Sequence, residues 1–155
     1  MYKTIQEIGK KYGLILDINY DENNDYNVVL SIFNSSKLKV EDYDLNDENI
    51  LVIIGLYYLK VKKNNEYAKK YYLMAIEKGN ANAMNNLGVL YIDERDYKNG
   101  IKYYLMAIEK ENNEAIKNIK MVINDLELYV CLKNMTIKNE LIENEIKRIE
   151  NNNQI

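Results

Sequence analysis

The sequence contains no histidine, proline or tryptophan, one cysteine and one phenylalanine. Without histidine there is no imidazole base, no Ser-His-Asp or Cys-His arrangement and no imidazole metal ligand. A lone Cys131 can form neither an intrachain disulfide nor a thiolate cage. The 6 glycines are scattered, so no glycine-rich phosphate loop exists. A net charge of -3 disfavours a partner read through its phosphate backbone, so no nucleic acid is expected. The most apolar run, Ile50 to Leu59, is about half the ~20 residues that a membrane-spanning helix needs, so no membrane partner is expected. The N-terminal MYKTIQEIGKKYG lacks the apolar centre of a signal peptide. The expectation is a soluble intracellular, cytoplasmic protein without cofactor or metal.

What is present is lopsided. There are 15 tyrosines, and Arg95 and Arg148 are the arginines among 21 Lys+Arg residues. Asparagine and isoleucine are also abundant. These residue types share A- and T-rich codons, so the bias reads as genomic composition before it reads as function. With 155 residues and 47% hydrophobic content, the chain can bury a real core.

An internal repeat dominates the middle of the chain. Lys70 to Lys78 reads KYYLMAIEK, and Lys102 to Lys110 reads KYYLMAIEK again, at a spacing of 32. Upstream, Ile54-Gly55-x-x-Tyr58 matches Leu87-Gly88-x-x-Tyr91 at a spacing of 33. The extra residue falls in a short polar connection, where insertions cost little. Leu87, Leu90, Tyr91 and Glu94 follow helical spacing, as do Tyr104, Ala107 and Ile108. Asn64, Gly79-Asn80, Asp96 and Asn112 supply cap and turn chemistry, and Gly79 stands where a helix end takes a left-handed residue. The unit is a helical hairpin, antiparallel because its connections are short.

A decayed third unit follows: Ala115 and Ile119 continue the spacing from Ala83 and Leu87, and residues 124–134 supply its second helix. From Thr136, a plausible N-cap, a polar helix carries Ile142, Ile146 and Ile149 on one stripe. Residues 1–45 are ambiguous. Ile8-Gly9-x-x-Tyr12 echoes the repeat, so residues 2–12 read as a degenerate copy. Over 14–33, period-2 alternation around DENND reads as a small β-hairpin, with a divergent helix at 25–35 as the rival. The expected organisation is an N-terminal segment (1–45), a repeat array (46–134) and a C-terminal capping helix with its tail (135–155).

The joint between units, AIEKGNANAMNNLG at 75–88 followed by VLY, resembles the Sel1-like repeat, a relative of the tetratricopeptide repeat. The family's joint runs A-A-x-x-G-x-x-x-A-x-x-x-L-G-x-x-Y, and Ala75, Gly79, Ala83, Leu87, Gly88 and Tyr91 stand at matching positions. Ala68 and Gly100 fit its small residue early in the second helix, and Tyr71-Tyr72 and Tyr103-Tyr104 fit its aromatic pair. The resemblance covers about residues 48–125 and departs from the family at Ile50 and Lys120. The compositional bias is similar to that of Sel1-like proteins of giant DNA viruses of amoebae, which would place the chain in a host cytoplasm.

The resemblance implies a mainly α fold, a short α-solenoid of stacked antiparallel helix pairs, and a non-catalytic scaffold or adaptor for protein–protein interaction. A partner protein or peptide would lie on the concave face made by the first helix of each pair. The family pattern points Asn49, Val52, Leu56, Leu59 and Lys60 toward that face from one unit. It points Asn82, Asn85, Val89, Ile92 and Asp93 there from the next, then Glu114, Lys117, Met121 and Asn124. The alternative is a structural role through self-association of exposed ends into a homo-oligomer. The tyrosines are expected in inter-helix packing and Cys131 as a small buried residue. The acidic cluster Glu41-Asp42-Asp44-Asp47-Glu48 reads as a solvated linker with helix-capping acids before Ile50.

Overall fold

Among the described residues four with positive φ set a rhythm: Lys63 at 51°, Gly79 at 86°, Arg95 at 63° and Glu111 at 58°. They recur every 16 residues, and each is followed by an amide or carboxylate side chain, Asn64, Asn80, Asp96 or Asn112. The left-handed residue turns the chain out of one helix. The next backbone N–H then donates back to that helix: Asn80 to the Ala75 carbonyl at 3.1 Å, Asp96 to Tyr91 at 2.9 Å, Asn112 to Ala107 at 3.0 Å. The same residue opens the following helix. Asn64 Oδ1 accepts from the Tyr67 N–H at 3.0 Å, Asn80 from Ala83 at 2.9 Å, Asp96 from Asn99 at 3.2 Å and Asn112 from Ala115 at 2.9 Å. One short joint thus ends one helix and starts the next, and the 32-residue sequence repeat contains two such joints.

The computed structural model describes residues 40, 43–123, 126–134 and 140–153. The degenerate copy at 2–12, the hairpin at 14–33 with its helical rival at 25–35, and the Thr136 cap all lie outside the described residues. Among the described residues there are helices and no strand: α1 Glu48–Lys60, α2 Asn65–Glu77, α3 Ala81–Asp93, α4 Tyr97–Glu109, α5 Asn113–Ile123, α6 Leu126–Asn134 and α7 Glu140–Asn153. The chain is mainly helical with consecutive helices packed together, consistent with an α-solenoid. Asp47 caps α1, its side chain accepting from the Asn49 N–H at 2.9 Å and the Ile50 N–H at 3.4 Å, as the acidic cluster led one to expect.

The chain divides into two compact units, Met1–Ala83 and Met84–Ile155, so that the boundary falls inside α3. In the first, residues late in α1 meet residues early in α2, which makes the pair antiparallel: Tyr58 stacks on Tyr67 and Tyr71 at 4.9 and 5.4 Å. Leu51, Ile54, Ala68, Tyr72 and Ala75 are fully buried there. Helix α1 is buried along its whole middle, from Ile50 to Leu56, as befits a helix apolar on every side.

In the second unit Gly88 and Gly100 bring α3 and α4 together. A Cβ on either would stand 3.2 Å from the carbonyl oxygen of the other. Leu87, Leu90, Ile101, Ala107, Ala115, Ile119 and Leu132 form the core. Helix α5 packs on α4 and α6, so α6 takes the expected place of the third unit's second helix.

Candidate functional site

In the first unit the expected groove residues do not share one fate. Val52 is 4% exposed and Leu56 5%. The expectation that they line an open groove is therefore corrected: both belong to the all-round apolar run of α1 and are buried. Asn49 is half-buried, and its Oδ1 accepts from Asn80 Nδ2 at 3.4 Å, linking α1 to the joint before α3. Leu59 is half-buried, and Lys60 and Asn82 are exposed.

In the second unit Asn85 is 8% exposed, and Asn118 Nδ2 on α5 donates to its Oδ1 at 2.9 Å. This amide pair ties the first helices of two successive pairs. The side chain read as a partner contact is thus committed inside the unit. Ile92 is also corrected: its Cδ1 lies 2.5 Å from where a Cβ on Gly100 would stand, so it covers the bare backbone of α4. Val89 is half-buried and Asp93 is exposed. On α5, Lys117 pairs with Glu114 at 3.3 Å with both side chains largely in solvent. Met121 is 65% exposed. Asn124 lies outside the described residues. Of this group, Lys117 and Met121 on α5 and Asp93 on α3 are exposed, and Val89 is half-buried.

Burial pushes the Tyr104 phenol well above its usual range, and the nearby Asp93 carboxylate adds to it. Tyr103 is raised by burial first and by Tyr91 second. Among the described residues no group of three His, Cys, Asp or Glu side chains could hold a metal ion. Cys131 is half-buried on α6 and not, as expected, a core residue.

Sequence reasoning passed over one arrangement. The tyrosines were expected in packing, and Tyr71, Tyr72 and Tyr104 are indeed buried. Others join the buried Tyr71 in a partly exposed cluster. Tyr57, Tyr58, Tyr67 and Tyr71 form a continuous ring cluster, with Lys62 over Tyr57 at 5.5 Å and Lys70 over Tyr67 and Tyr71 at 5.9 and 5.8 Å. The second unit repeats it in part: Tyr91 stacks on Tyr103 at 5.6 Å under Lys102. The repeated Lys-Tyr-Tyr was the available signal. No protein-family model matches the chain, and no solved structure matches it significantly.

Proposed function

We propose that the chain is a non-catalytic interaction scaffold of the Sel1-like type, its helix pairs stacked as in that family. It holds a segment of a partner protein against α5, the first helix of its pair, in the cytoplasm. The observation that carries this reading is Met121, a flexible apolar side chain 65% exposed on α5, one turn from the charged Lys117. Methionine in that setting adapts to varied partner side chains. The test is comparative capture with the wild-type chain, Met121→Asp and Lys98→Ala. A partner retained by the wild type and by Lys98→Ala, and lost from Met121→Asp, supports the reading. Equal capture by all three moves the site off α5.

Val130, 49% exposed on α6, favours a second reading, self-association through the last helix pair. Sedimentation at several concentrations distinguishes it: a mass that rises with concentration for the wild type and not for Val130→Glu supports a homo-oligomer.

A further inference from the structure

We propose that the tyrosine–lysine cluster of the first unit is a docking surface for an acidic peptide segment. The inference rests on residues other than those of the α5 surface. Tyr57, Tyr58, Tyr67 and Tyr71 touch in one chain of ring contacts, and Lys62 and Lys70 lie over their faces. Tyr67 is 47% exposed, and both lysines are exposed. Among the described residues neither lysine is paired with a carboxylate, while Glu66 is engaged by Lys69 at 3.5 Å. A ring face steadies an ammonium without neutralising its charge. The two cations are therefore held in place and still able to donate to an incoming anion, which lowers the ordering cost of binding.

Charge favours the same partner. Residues 60–78 carry Lys60, Lys62, Lys63, Lys69, Lys70 and Lys78 against Glu66 and Glu77, in a chain whose net charge is -3. This is a basic stretch in an acidic sequence. A nucleic acid is the less fitting occupant. Base stacking needs open ring faces, and Tyr58, Tyr67 and Tyr71 already spend faces on one another at 4.9 and 5.4 Å. A short run of Asp or Glu side chains suffices for the two ammoniums, with its aliphatic stems against the exposed part of Tyr67.

The test is fluorescence anisotropy with three labelled probes: oligoglutamate, oligoglutamine and oligothymidylate. The expected result is saturable binding of oligoglutamate alone, weakening as salt is added. The paired change Lys62→Gln and Lys70→Gln should weaken it roughly five- to tenfold, with an unchanged circular dichroism spectrum and melting curve. Lys98→Gln should leave it unaltered. Absence of oligoglutamate binding overturns the proposal, as does equal binding by the paired variant. Preference for oligothymidylate also overturns it and assigns the patch to nucleic acid. If the paired variant fails to fold, the salt response and probe preference of the wild type decide alone.

Discussion

Tyr104 lies against the bare backbone of Gly88, where a Cβ would stand 2.6 Å from the ring's Cδ1. The same relation holds between Tyr72 and Gly55, at 2.7 Å from the Cδ1 and 2.5 Å from the Cε1. Glycine inside a helix costs about 1 kcal/mol relative to alanine, and in both pairs a tyrosine ring fills the space that results. At Gly88 the Gly100 carbonyl adds a backbone wall at 3.2 Å.

Gly88→Ala is therefore expected to destabilise the second unit by about 1–2 kcal/mol, overpacking outweighing the gain in helix propensity. In a Tyr104→Ala background the same change should cost less, because the obstructing ring is gone and only the Gly100 carbonyl at 3.2 Å remains. Denaturant unfolding of the four proteins of this cycle checks it. A stabilising Gly88→Ala in the otherwise wild-type chain would show that the ring contact is not tight.

The part-buried amide pair makes a second prediction. Asn85→Ala strands the Asn118 amide and should cost about 1–3 kcal/mol. Lys117→Ala, which breaks an ion pair exposed on both sides, should stay within about 0.5 kcal/mol. Thermal melts of both variants give the comparison. Equal melting temperatures would mean that the amide pair contributes no more than a surface salt bridge.

The joints give a third. Lys63, Arg95 and Glu111 hold left-handed backbones that non-glycine residues adopt at a cost of about 1–2 kcal/mol. Part of that is recovered in Arg95→Gly or Glu111→Gly, each expected to stabilise by about 0.5–1 kcal/mol after the added freedom of the unfolded chain is subtracted. Gly79→Ala should do the reverse by about 1 kcal/mol, although nothing lies within 4 Å of the added Cβ. Its cost would come from the backbone alone. Chemical unfolding curves that move the other way would remove these residues as the source of strain.

The helices and their joints were legible in the sequence because their signals are local. Gly79, Asp96 and Asn112 sit beside the backbone groups they serve, and the duplicated KYYLMAIEK marks α2 and α4 directly. The close approach at Gly88 was legible too, since a glycine repeated at helical register has few other uses. The surface was harder. Ile50 to Leu56 is apolar on every side, so no periodicity could say which of its residues, Val52 and Leu56 included, would reach solvent. Asn82 and Asn85 look alike in sequence. Asn85 is buried because Asn118, 33 residues away, comes to meet it. Ile92 turns inward because Gly100 leaves a hollow in α4. Each of these depends on a partner from a different helix, which spacing along one helix cannot supply.

The recurrence of one joint every 16 residues bears on how the chain acquires its structure. Each bend is specified by the two residues at its centre and bonds only to its immediate flanks, so no bend waits for a distant strand or domain to arrive. Ring-on-glycine contacts then close over loops no longer than a single hairpin. Contacts of this kind are local in sequence, and helical proteins rich in them fold in microseconds to milliseconds. A hairpin can nucleate at any of the joints and recruit its neighbours, so the order of events during synthesis on the ribosome can simply follow the order of the sequence.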